Sequence, residues 1–224
     1  MSNKKSTSAS TPENAAQNDP VIQEYGTLQN VRIGLSAEVR GNSVRALNRL
    51  LAHTMAMRDA YKKAHWQTTG ATFYELHLLF DKHYEEQATL MDSIAERIQG
   101  LGGVTLALPG DVSSESSIAH APRGRESARA QLDRLADGHE TILLEARPLA
   151  RKADDDGDDG TNDLIVSELV RLNELQSWFV IQHLSRHSEI GDASQPTTAD
   201  ADLEEAPAAT KGKDGKIKGA EPRH

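Results

Sequence analysis

The chain has 224 residues, 37% of them hydrophobic, no cysteine and a formal net charge of −9. That size bounds it at one domain or a small domain with tails; the acidity argues against the bulk of the molecule binding a polyanion, and the missing cysteines exclude disulfides and thiolate metal sites. Lys4 and Lys5 precede no apolar stretch, and no run approaches the ~18 apolar residues of a membrane span, so a cytoplasmic protein without a signal peptide is expected.

Residues 1–35, rich in Ser, Thr, Asn, Ala and Pro, hold too few large apolar groups to offset the entropy of ordering and are expected to form a flexible tail. A helical domain is expected over 36–190. Its first helix should run from about Glu38 to Gln67, with Val44, Leu47, Leu51, Met55 and Ala64 on its apolar side and Asn42 as a cap. The second, Phe73 to Leu101, spaces Phe73, Leu76, Phe80, Gln87, Met91, Ile94, Ile98 and Leu101 by threes and fours and stops at Gly102 and Gly103. Residues 104–123, with Pro109, Gly110, a serine cluster and Pro122, read as a long crossover with room for a short helix. A third helix is expected from about Arg125 to Asp154 on Leu132, Leu135, Ile142, Leu143 and Leu149, with Pro148 forcing a kink or a broken last turn near Arg147. After an acidic turn, Thr161 should cap a fourth helix from Asn162 to about Ser188 bearing Leu164, Leu169, Leu172, Leu175, Phe179 and Ile181. Residues 191–224 form a second expected flexible tail, whose end sets Lys211, Lys213, Lys216, Lys218 and Arg223 against only Asp214 and Glu221. Repeated in a multimer, such a tail could hold DNA by avidity. The whole reads as an all-α, ferritin-like four-helix bundle, with one long crossover between helices two and three.

Five metal-capable side chains lie between residues 65 and 96: His65, His77, Asp81, Asp92 and Glu96. On one helix, His77 and Asp81 stand a turn apart, Asp92 and Glu96 form a second such pair, and all four fall within a sector of roughly 100°. Yet His77 and Asp92 are separated by about 22 Å along the axis. Ligand bonds of about 2 Å need convergence, so each pair is half a site, and an antiparallel second copy would complete two of them. Singly, each carboxylate reads as a solvated helix charge; together with two histidines they read as ligands. The set suits a borderline divalent metal: iron is the redox candidate, zinc fits the same ligands, and an oxygen-only calcium cage does not. A di-iron centre inside the bundle would need Glu-x-x-His on two helices, and only Glu221–His224, in the tail, has that spacing.

The segments KKAHWQTTGATFYELHLLFD and MDSIAERIQGLGG, with GDDGTNDL and Trp178-Phe179 later, closely resemble the Dps family, the DNA-binding proteins from starved cells, over roughly residues 38–189. The resemblance implies a hollow dodecamer with ferroxidase sites at twofold interfaces, to which His65, His77 and Asp81 come from one subunit and Asp92 and Glu96 from its neighbour. It further implies that hydrogen peroxide accepts the electrons, that ferric oxide accumulates in the shell, and that DNA is protected, with nucleoid association through the tails. Trp66 would lie beside the oxidation centre and intercept oxidising equivalents. Asp158, Asp159 and Asp163 occupy a motif that lines threefold pores for iron entry; from the residues alone, the same stretch reads equally as a solvated acidic loop. His183 and His187, one turn apart, read as surface or packing residues before they read as zinc ligands, and His53, His83, His120 and His139 read the same way.

Overall fold

The computed structural model describes residues 20–185; the basic cluster Lys211, Lys213, Lys216, Lys218 and Arg223 lies outside the described residues, as do His187 and most of both expected tails. Four long helical rods carry the fold, and the described residues contain no strand. Helix α1 (Ala37–Gln67) and α2 (Phe73–Gly100) form an antiparallel hairpin through a five-residue link; α3 (Pro109–Glu115) is the short helix of the crossover, followed by α4 (Ala128–Asp155). The fourth rod is composite, with α5 (Asp159–Asp163), a π-helical segment (Leu164–Val170) and α6 (Arg171–Leu184) in unbroken succession.

The hydrophobic spacing places the core much as expected. Leu47, Leu50, Leu51 and Met57 from α1, Leu76, Phe80, Ile94 and Ile98 from α2, Leu135 and Ile142 from α4, and Leu169 and Val180 from the fourth rod are buried together. Each such side chain removed from water is worth about 1.5–3 kcal/mol, and this cluster orients all four rods. Phe73, Leu175 and Ile181, expected on apolar faces, instead stand exposed.

Several boundaries differ from expectation for physical reasons. Ser36, not Asn42, caps α1: its hydroxyl accepts from the Val39 amide, while Asn42 sits inside the helix and donates to Asp156. Asp158, not Thr161, caps the fourth rod, because its carboxylate reaches the Thr161 amide and hydroxyl together. Helix α4 runs on through Pro148 to Asp155 rather than breaking near Arg147. The fourth rod ends at Leu184, where Ser185 turns to extended backbone, four residues before the expected end. Residues 20–35 do not behave as tail throughout. The Gln29 amide donates to the Gly102 carbonyl at 2.8 Å, Gln23 Nε2 donates to the same oxygen, and the Arg40 guanidinium bridges the carbonyls of Gln29 and Leu101. Gly102 makes this possible: its φ is +82°, and a Cβ there would stand 2.7 Å from the Gln29 carbonyl oxygen.

Candidate metal centre

Helix α1 delivers His65 from its last turn, and α2 delivers His77 and Asp81 from its second and third; the hairpin link brings the two helix ends face to face. The imidazoles stack at 3.8 Å between centroids and clasp each other's backbone. His65 Nδ1 donates to the His77 carbonyl at 2.7 Å, and His77 Nδ1 donates to the His65 carbonyl at 2.9 Å. Because a carbonyl only accepts, both Nδ1 atoms must carry hydrogen, which leaves each Nε2 with a lone pair. Such an outward hydrogen bond is what orients metal-binding histidines elsewhere. His65 Nε2 lies 3.8 Å from Asp81 Oδ1, so this half of the set converges. Phe73 stacks on the far side of His77 at 5.1 Å and fixes the ring's tilt.

Asp81 also accepts from Lys62 Nζ at 2.6 Å, and that hydrogen bond, with the charge of the ammonium, holds its carboxyl below the usual aspartate value. It is an anion with one competing partner. Lys62 was not among the residues singled out from sequence, although its i−3 spacing from His65 put it near the same helix face.

Asp92 and Glu96 are exposed on α2, and neither has an ion-pair or hydrogen-bond partner among the described residues. Among the described residues of one chain, no group of three such side chains is arranged to hold a metal ion. The structure sets His65 against His77 and within 3.8 Å of Asp81 without closing a three-ligand site, and leaves Asp92 and Glu96 apart, further along α2.

A family model for the ferritin-like domain matches residues 44–190. DpsC from Streptomyces coelicolor is 47% identical, with 74% of this chain and 96% of that one covered and a TM-score of 0.74. DNA protection during starvation protein 2 of Bacillus anthracis is 29% identical over 143 residues, 64% of this chain and 97% of the relative. The chain belongs to the Dps family. A Dps protein from Vibrio cholerae, described as a member of a broad superfamily of ferritin-like diiron-carboxylate proteins, is 27% identical with a TM-score of 0.65, and the match covers 70% of this chain and all of that one.

Set in a Dps frame, the other singled-out residues separate. Trp66 is 68% exposed and Trp178 55% exposed in the single chain, so neither is a core residue. Asp159 and Asp163 are exposed, but Asp158 is buried, accepting from Ser43 at 2.6 Å, from Thr161 and from the Arg97 guanidinium. Burial by itself would raise its pKa; the Ser43 and Thr161 hydrogen bonds and the Arg97 charge reverse that and hold the carboxylate ionised. Its lone pairs are taken by Thr161, Ser43 and Arg97, so in the single chain it does not stand at the surface with Asp159 and Asp163, contrary to the expectation. His53, His83 and His139 are fully buried, and His120 and His183 are exposed. Sequence reasoning missed the polar set inside the bundle, Tyr61, Gln87, His139, Asn173 and Gln176. Its signal was present: Gln87 sat in the apolar spacing of the second helix, and Asn173 and Gln176 share one face of the fourth.

Proposed function

We propose that this Dps protein oxidises ferrous iron at sites shared between subunits and stores the ferric product inside a hollow homo-oligomer, a dodecamer, so protecting DNA during stress. The observation that carries the reading is the His65–His77 clasp. Two stacked imidazoles, each with its Nδ1 committed to a backbone carbonyl, lie beside the Asp81 carboxylate, a donor set that suits iron and would also accept zinc. Asp92 and Glu96, ionisable and without partners, supply what a second copy would add; an antiparallel pairing of α2 rods brings each to the other's clasp.

Iron is substrate here. The imidazoles hold it by Nε2 without adding charge, while the carboxylates favour the ferric state by neutralising its extra positive charge. Each ferrous ion loses one electron, and two electrons cleave the O–O bond of one peroxide, leaving oxygen at the level of water rather than as hydroxyl radical. Asp159 and Asp163, exposed at the head of the fourth rod, would draw ferrous ions toward a pore by their charge, with Asp158 and Arg97 holding that turn in place. Exposed Trp66 stands next in sequence to His65, where it would pack at the same interface and meet stray oxidant. Replacing Asp92 with Asn and Glu96 with Gln together is expected to slow peroxide-driven ferrous oxidation by roughly two orders of magnitude while the oligomer elutes unchanged. Wild-type kinetics in that variant would remove the reading.

A second reading assigns DNA compaction to the basic tail, with iron chemistry secondary and the protein at the nucleoid. A nutrient stress-induced DNA-binding protein of Synechococcus, 28% identical over 157 residues, favours it, as does the run from Lys211 to Arg223. Truncation after residue 190 is expected to abolish a steeply salt-dependent gel shift given by the full chain. No shift from the full chain would leave iron handling alone.

A further inference from the structure

Midway along the bundle, Tyr61 of α1 is fully buried, and its hydroxyl lies 2.5 Å from His139 Nε2 on α4. The direction of that bond follows from its neighbours. Asn173 Nδ2 donates to the Leu169 carbonyl at 2.8 Å, which turns Asn173 Oδ1 toward His139 Nδ1, also at 2.8 Å, and Gln87 Nε2 donates to the same oxygen. An amide oxygen only accepts, so His139 carries its hydrogen on Nδ1 and presents a bare lone pair at Nε2. Tyr61 must therefore be the donor. A phenol buried against an imidazole whose free lone pair is fixed by a second hydrogen bond has somewhere to put its proton when it loses an electron.

Packing alone does not call for this arrangement. Phenylalanine would fill the same volume between Phe80 and His83, whose rings lie 6.1 and 5.0 Å from that of Tyr61, and would bury no hydroxyl. Gly138 lets α4 come close at this level: a Cβ there would collide with the Met57 sulfur. Tyr61 lies one helical turn, about 6 Å along the axis, before His65. Trp66 offers no comparable setting, since it is largely exposed and, among the described residues, its indole has no hydrogen-bond partner.

We propose that Tyr61 and His139 form a redox-active pair that quenches one-electron oxidants generated at the neighbouring metal centre. The step balances. A hydroxyl radical, formed when one ferrous ion alone reduces peroxide, takes one electron from Tyr61 and becomes hydroxide; the phenolic proton passes to His139 Nε2, leaving a neutral tyrosyl radical and an imidazolium. A second ferrous ion returns the electron, becoming ferric, and His139 returns the proton. At rest both groups are neutral, because burial raises the Tyr61 pKa and lowers that of His139. The proposal rests on the ferrous-oxidation reading only for the source of the oxidant.

The chain contains four tyrosines, so replacing Tyr25, Tyr74 and Tyr84 with Phe leaves Tyr61 as the sole source of a tyrosyl signal. That full-length variant, assembled, loaded with ferrous sulfate and mixed with hydrogen peroxide, is freeze-quenched for electron paramagnetic resonance while ferrous loss is followed in parallel. A tyrosyl spectrum is expected, with its gx value, the low-field edge resolved at high microwave frequency, lowered by a hydrogen bond to the radical oxygen. Adding Tyr61→Phe should erase it, and adding His139→Gln should cut its yield at least roughly tenfold without unfolding the bundle. Ferrous oxidation with no radical at Tyr61 would overturn the proposal and leave the ferroxidase reading standing. If ferrous iron is not oxidised at all, the iron-free protein is oxidised instead with a photo-excited ruthenium complex and persulfate. A hydrogen-bonded radical at Tyr61 then supports the pair by itself, and its absence overturns it.

Discussion

His65 and His77 spend one nitrogen each on the other's backbone, so in the proposed centre both rings are oriented before any metal arrives. The cost of orienting two rings is met on folding, leaving Lys62 as the one group that must withdraw from Asp81. Replacing Lys62 with Met is therefore expected to tighten ferrous binding by about threefold to tenfold, measured as the half-saturating iron concentration, since removing an ammonium 2.6 Å from a ligand also removes its repulsion of the cation. Unchanged or weaker binding would mean that Lys62 positions Asp81 rather than competing for it. Acid sensitivity is also set by single residues. Burial holds His83 and His139 at about 4, below the ordinary 6.5, so an unfolded chain takes up protons before the folded one does. The stability these residues contribute is intact above about 6.5 and drains away as pH falls from 6.5 to 4. Glu145, held at about 2 chiefly by its hydrogen bond from Arg49, adds a further loss as pH falls from 4.5 to 2. Denaturant unfolding at fixed protein concentration should thus lose on the order of 2 kcal/mol per buried histidine between pH 7 and pH 5. Among the described residues neither ring nitrogen of His83 has a hydrogen-bond partner, so His83→Leu should remove its share of that loss and add about 1 kcal/mol at pH 7. A flat pH response in wild type would contradict this. The five metal-capable side chains were legible because spacing on a helix is one-dimensional information. The clasp, Lys62 and the buried Tyr61–His139 pair were not, because each depends on which side chains from different rods meet.

Rods, caps and turns show the same division. The extents of α1 and α2 follow from hydrophobic spacing and from Gly102, whose positive φ no other residue adopts readily. Caps were misplaced because a cap is a geometric bargain between one side chain and the amides two or three residues on, and several acceptors competed at each end. Asp158 won by serving two jobs, receiving the Thr161 amide while pairing with Arg97 of α2. Asp158→Ala is expected to lower stability by roughly 3–4 kcal/mol, more than a surface cap, because it strands a half-buried guanidinium as well as removing the cap. A loss below ~1 kcal/mol in thermal or denaturant unfolding would show the turn to be held otherwise. The π-helical segment from Leu164 to Val170 was invisible to a reading built on 3.6-residue periodicity, since widening each turn by one residue shifts the register without changing composition. Pro148 is the converse case: of the expected kink or broken last turn, the break does not occur, and α4 continues with its proline exposed where solvent can satisfy the freed carbonyl. Pro148→Ala should accordingly raise the melting temperature by a few degrees, equivalent to about 1–2 kcal/mol.

At the scale of the molecule, the hairpin of α1 and α2 presents Trp66, Phe73, Tyr74 and Leu78 to solvent around the ends that carry His65 and His77. Apolar side chains gathered there suit a shared interface; from sequence, Trp66 had been set beside the oxidation centre and Phe73 on an apolar helix face, while Tyr74 and Leu78 had no role. The membership in the Dps family was legible from a few short segments, and the proposed dependence of each site on a second copy is argued from geometry: ligands about 22 Å apart on a straight rod cannot meet. Complementation between dead variants tests that dependence most directly. One variant carries His65→Ala and His77→Ala, the other Asp92→Asn and Glu96→Gln, and each alone should oxidise ferrous iron negligibly. Dissociated and reassembled in equal amounts, half of the subunit pairs are mixed, and each mixed pair holds one intact site and one lacking both halves. The mixture is expected to regain about a quarter of wild-type peroxide-driven oxidation; a mixture as inactive as its two components, with mixed assembly verified by mass, would contradict a site built from two chains.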